Sequence, residues 1–92
     1  MSSFKIAETD SFIKKIEKPK YKNLYKKIKE YVYPLLKANP YYGPNIKRLK
    51  GNLSEYYRYR IGDYRLFYKI ENEKIMIFII DIEHRKDAYD WK

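Results

Sequence analysis

The chain has 92 residues, a net charge of +9 and a pI near 9.6, with 45% apolar and 18% aromatic residues. That length sets a single domain, residues 1–92, with one modest core, and the apolar content excludes a disordered chain. The absence of cysteine excludes a disulfide framework and thiolate chemistry and suits a reducing compartment, the cytoplasm. The stretch MSSFKIAETDS has no apolar segment of the kind a secretory signal carries, and the longest apolar run, IMIFII, is too short to span a membrane. The positive charge favours a polyanionic partner: nucleic acid, an anionic membrane or an acidic protein.

In chain order, SFKIAE (residues 3–8) alternates and reads as a first strand. Thr9 or Asp10 can cap a helix that carries Phe12, Ile13 and Ile16 on one face and stops near Lys18, ahead of Pro19. A longer helix follows over residues 21–38, with an apolar stripe of Leu24, Ile28, Tyr31, Val32, Leu35 and Leu36 and its lysines facing water. Pro34 should kink or split it, because proline has no donor for the carbonyl four residues back. NPYYGPN is a loop, and residues 46–55 have room for a short strand. Residues 56–61 and 64–70 flank Gly62-Asp63, a Gly-X pair that closes hairpins. Residues 74–82 form the last strand, apolar on both faces and therefore expected at the sheet's centre. A short helix or turn, RKDAYDW, follows. The order β-α-α-β-β-β indicates an α+β fold, two helices on one face of a small, mainly antiparallel sheet.

A two-residue loop at Gly62-Asp63 pairs Ile61 with Tyr64 and therefore Arg60 with Arg65. Like charges directly opposite cost roughly a few tenths to 1 kcal/mol. An anion held between them reverses that sign, and the planar guanidinium fork matches phosphate. Alternation puts Tyr57, Tyr59, Ile61, Tyr64, Leu66, Tyr68 and Ile70 on the face for the helices. Tyr56, Arg58, Arg60, Arg65, Phe67 and Lys69 fall on the other. Solvation alone accounts for one isolated arginine. Residues 41–69, however, hold seven basic residues (Lys47, Arg48, Lys50, Arg58, Arg60, Arg65, Lys69) against two acids, +5 of the total +9. Five of the twelve tyrosines, Tyr31, Tyr57, Tyr59, Tyr64 and Tyr68, occupy core-like positions. Tyr56, Tyr89 and Trp91 do not, and an exposed aromatic beside arginines suits stacking on a nucleobase. His84 is the one histidine, with no metal-ligand set around it, and no phosphate-binding glycine motif or nucleophile triad is present. No cofactor is expected.

The segment RLKGNLSEYYRYRIGDYRLFYKIENEKIMIFIIDIEHRKDAY (48–89) resembles the RelE/ParE superfamily of type II toxin–antitoxin toxins, through its L-K-G-x-L turn, its Y-R-x-R-x-G-x-Y-R hairpin and its closing H-R-x-x-x-Y. The resemblance implies one of two activities. RelE-like members cut mRNA in the ribosomal A site, where the mRNA's own 2′-OH attacks the adjacent phosphate without a metal; ParE-like members inhibit DNA gyrase. The residue set implied for the nuclease is present: Arg65 for the transition state, Arg58 and Arg60 on the preceding strand, Lys50 in the turn, Arg85 as general acid and Tyr89 against the nucleotide. Some relatives use a Glu–His pair instead; their Glu falls near Lys47, and their His falls next to Glu83 and His84, which leaves His84 as an alternative acid. Lys47, Arg48 and Lys69 complete the expected RNA contacts. The reading is a metal-independent, ribosome-dependent endoribonuclease, partnered by an antitoxin and by the ribosome with its mRNA and rRNA. The alternatives are gyrase inhibition and non-catalytic nucleic-acid binding.

Overall fold

The computed structural model describes residues 3–88 and 91. Strand β1 (Lys5–Glu8) leads into α1 (Asp10–Ile16). Thr9 is the cap: its hydroxyl accepts from the Phe12 amide and donates to the Ile79 carbonyl at 2.9 Å, tying the helix start to the sheet. Phe12 and Ile16 are buried, whereas Ile13, expected on the same face, points outward.

The second helix is split, as Pro34 demands. After a short 3-10 turn (Pro19–Tyr21) come α2 (Lys22–Lys27), a π turn (Ile28–Val32) and α3 (Tyr33–Ala38). The Tyr33 amide reaches the Ile28 carbonyl, five residues back, so the wide turn absorbs the donor that Pro34 lacks. The wider turn also slows the helix's rotation. Ile28, Val32 and Leu36 stay inward together with Tyr33, while Tyr31 and Leu35 rotate out to 66% and 55% exposure. The expectation that Tyr31 and Leu35 belong to the buried stripe is corrected by this one turn. Lys22, Lys26, Lys27, Lys29 and Lys37 do face water.

Five strands form one sheet in the order β1-β5-β4-β3-β2, with β2 (Ile46–Arg48), β3 (Tyr56–Ile61), β4 (Tyr64–Glu71) and β5 (Met76–His84). All pairs are antiparallel except β1 with β5. The centre is therefore β4, not the last strand, because β1 returns to pair outside β5. A short helix, α4 (Arg85–Ala88), follows β5. The hairpin register is Ile61 with Tyr64 and Arg60 with Arg65. Gly62 supplies the positive φ (+58°) at the first loop position, where Gly-X hairpins require it.

The core lies between the helices and one sheet face: Phe12, Ile16, Ile28, Val32, Leu36, Tyr59, Leu66, Tyr68, Ile77, Ile79 and Ile82 are buried there, with Tyr57, Ile61, Tyr64 and Ile70 packed against them. Its polar atoms are satisfied. The Tyr68 hydroxyl donates to the Pro40 carbonyl at 2.7 Å, and Glu8 accepts from Tyr25 (2.8 Å) and Tyr33 (2.7 Å). Burial, reinforced by the Glu8 carboxylate, pushes the Tyr25 hydroxyl up to about 12 and that of Tyr33 higher still.

Candidate nucleic-acid interface

The face turned away from the helices carries the charge. Two rows cross it. Lys47, Arg58, Phe67 and Asp81 lie side by side on β2, β3, β4 and β5; Arg60, Arg65 and Glu83 form the next row toward the hairpin turn. Opposed residues share a face, so Lys47, Arg58, Arg60 and Arg65 are brought together. Lys69 is on the same face one row beyond Phe67, held by Glu55 at 2.7 Å, which raises its pKa. Arg65 is half-buried and donates to the carbonyls of Tyr64 (3.1 Å) and Gly62 (3.4 Å). Arg85 joins from α4: its amide donates to the Asp63 carbonyl at 2.7 Å, and its guanidinium lies 3.9 Å from the Asp63 carboxylate. Arg60, Arg65 and Arg85 thus converge on the hairpin-turn end of the sheet.

Two expected contacts are placed elsewhere. Arg48 pairs with Tyr57, a helix-face residue; its guanidinium lies over the Tyr57 ring and donates to the Ser54 carbonyl at 2.6 Å. His84 pairs with Tyr64 and so faces the helices, edge-on to that ring at 5.4 Å, its Nδ1 accepting from the Lys86 amide. Sheet alternation separates His84 from Arg65. Lys50 is exposed at the entry to a 3-10 turn (Gly51–Leu53), past the end of β2. Tyr89 lies outside the described residues.

The sequence reading missed three members of this face: Asp81, Glu83 and Lys15. A bulge in β5 sets Phe67 opposite Asp81 but Tyr68 opposite Ile79, so Ile80 is the extra residue. It switches the alternation, sending Ile82 to the core and Asp81 and Glu83 to the arginine face. Lys15 of α1 bridges both carboxylates at 3.0 Å; burial pulls its pKa down, but the two acids outweigh that and raise it. A DIE sequence at a strand end was the available signal, and it does not specify a bulge.

Phe67 is 1% exposed although it lies outside the main core. Trp91 covers it, the rings parallel at 4.1 Å, with Tyr56 edge-on to the indole at 5.2 Å. The indole N–H donates to Asp81 at 2.9 Å. Tyr56 and Trp91, expected to be free for stacking, are thus already in contact with each other. On the helix side, Leu35, Tyr42, Ile46 and Tyr59 line an apolar groove of about 320 Å³. Among the described residues no cluster of three or more His, Cys, Asp or Glu could hold a metal ion, and no helix is long and apolar enough to cross a membrane.

The chain matches the family model for the ParE toxin of type II toxin–antitoxin systems over residues 5–89. No curated protein sequence matches it. Among solved structures it is similar to the toxin–antitoxin complex RelBE2 from Mycobacterium tuberculosis (25% identity, TM-score 0.77, 95% of this chain and 97% of that one). It is also similar to the RelB–RelE complex from Methanococcus jannaschii (26%, TM-score 0.63, 90% and 94%). The YoeB–YefM complex from Staphylococcus aureus shares the fold (23%, TM-score 0.66, 88% and 95%). With the family model spanning nearly the whole chain and the fold in common with these structures, the protein belongs to the ParE toxin family of the RelE/ParE superfamily, the toxins of type II toxin–antitoxin systems.

Proposed function

We propose that the protein is a ribosome-dependent endoribonuclease that cuts mRNA in the A site, and so inhibits translation in the cytoplasm. The observation that carries this is the Arg60–Arg65 pair, with Arg58 and Lys47 on the same sheet face and Arg85 at the same end. A phosphate seated between the two guanidinium groups converts a repulsive pair into a binding site. The substrate's 2′-OH gives its proton to solvent as its oxygen attacks the neighbouring phosphorus; a 2′,3′-cyclic phosphate forms, the bond to the 5′-oxygen breaks, and that oxygen takes up a proton. Arg65 neutralises the equatorial oxygens as charge develops. Arg85 donates toward the leaving oxygen, and Tyr89 and Lys50 hold the flanking nucleotides. His84, on the helix side of the sheet, is not assigned the acid role. Free single-stranded RNA is rarely aligned for in-line attack, and a ribosome that holds the mRNA bent supplies that orientation. The protein's charge favours docking on rRNA in a salt-sensitive way.

A cognate antitoxin completes the system. An apolar stretch of it suits the groove of Leu35, Tyr42, Ile46 and Tyr59, and an acidic stretch suits the arginines. The match to a ParE family model favours a second reading, inhibition of DNA gyrase without nuclease activity. One experiment separates them: the purified protein is mixed with naked mRNA, with programmed ribosomes and with gyrase. Cleavage in the ribosomal reaction alone, ending in cyclic phosphate, is expected. Efficient cutting of naked RNA, or 3′-hydroxyl ends, overturns the mechanism; gyrase inhibition without cleavage establishes the second reading.

A further inference from the structure

The Trp91 indole is built into the charged face, where it covers Phe67. One ring face lies flat on Phe67 at 4.1 Å and 3°, Tyr56 abuts its edge, and its N–H is taken by Asp81. Asp81 is itself fixed: its other oxygen accepts from Lys15 and from the Ile82 amide at 2.8 Å. The indole is therefore held in plane and orientation, yet it is only half-buried, and among the described residues Phe67 covers one of its two faces while Tyr56 meets it edge-on. The Lys15 ammonium offsets the Asp81 carboxylate that holds it. Arg58 stands next to Phe67 in the register, and Arg65 is two residues along β4, about 7 Å away and within reach of one nucleotide.

We infer that Trp91 is a base-stacking platform, on which a nucleobase of single-stranded RNA lies as the third layer over Phe67 while its phosphates run along Arg58 and Arg65. The inference rests on the RNA reading of this face and adds a stacking place to it. A platform that is immobile before binding loses little entropy on capturing a base, and aromatic stacking is tolerant of base identity. The remaining specificity then comes from elsewhere on the mRNA–ribosome complex.

Trp91 is the chain's single tryptophan, so it reports on itself. The test titrates the full chain with a short single-stranded RNA and with an abasic ribose-phosphate oligomer of equal length and charge, both end-labelled; indole emission is followed in the wild type, and label anisotropy reports affinity in the wild type and in variants that lack the indole. The expected result is quenching by RNA only, with the RNA bound roughly tenfold or more tighter than the abasic chain. Trp91→Ala should erase that difference. Trp91→Phe, which still caps Phe67, should retain part of it, and so separates stacking from a loss of fold. Equal affinities without quenching, or no RNA binding at all, overturn the platform. Cyclic-phosphate cleavage on ribosomes without quenching removes the platform and leaves the nuclease reading intact. Quenching without cleavage does the reverse.

Discussion

The Arg60–Arg65 pair gives the sharpest quantitative test, because its energy has a calculable sign and salt dependence. Like charges directly opposite across a strand pair cost roughly a few tenths to 1 kcal/mol. Salt screens that cost, because the Debye length falls from about 30 Å at 0.01 M to about 8 Å at 0.15 M and about 3 Å at 1 M. Single substitutions do not isolate this quantity. Arg65 also donates to the Gly62 and Tyr64 carbonyls and stands beside Glu83 in the register, so Arg65→Ala loses favourable contacts along with the repulsion. A double-mutant cycle of Arg60→Ala, Arg65→Ala and the double variant cancels those terms. Denaturant unfolding at the three salt concentrations should yield an unfavourable coupling that fades as salt rises. Sulfate or phosphate should stabilise the wild type beyond chloride at matched ionic strength, by about 1.4 kcal/mol at tenfold the anion's dissociation constant, and the double variant should lose that increment. A coupling that is favourable, zero or unchanged by salt would refute the phosphate-seat argument at its base.

Other outcomes follow from single features. Gly62→Ala should cost about 1 kcal/mol in unfolding free energy from backbone strain alone, because a Cβ there meets nothing within 4 Å. Phe67→Ala should cost about 3 kcal/mol and shift Trp91 emission to the red, since it removes the floor on which the indole rests. For Tyr25, the folded-state pKa of about 12 lies above the usual 10, so its contribution is fully present below pH 10 and is lost as pH rises toward 12. Tyrosinate absorbance and unfolding curves over that range should show late ionisation and falling stability. His84→Gln should leave the pH dependence of cleavage unchanged between about pH 5.5 and 8, since the imidazole faces the helices; a profile that flattens on substitution would return the acid role to His84.

The hairpin was legible from sequence because its determinants are local. A Gly-X loop dictates the partner of every residue on the two flanking strands, and strict alternation then assigns each side chain to a face. The split of the second helix followed from Pro34 for the same reason. The superfamily was legible from the motif around that hairpin.

What only the tertiary structure decided depends on register shifts and on distant partners. The π turn moved Tyr31 and Leu35 out of the core, and the β5 bulge moved Asp81 and Glu83 onto the arginine face. In each case one extra residue changes a periodicity: Pro34 marks the first interruption without fixing the turn's width, and no residue marks the second. The parallel pairing of β1 beside β5 made β4 the central strand, through contacts some seventy residues apart in the chain. The separation of His84 from Arg65, adjacent to Arg85 in sequence but on the opposite side of the sheet, is the same effect at the candidate site. Periodicity places a side chain on a face only while the strand stays regular, and packing against the rest of the molecule decides where that regularity breaks.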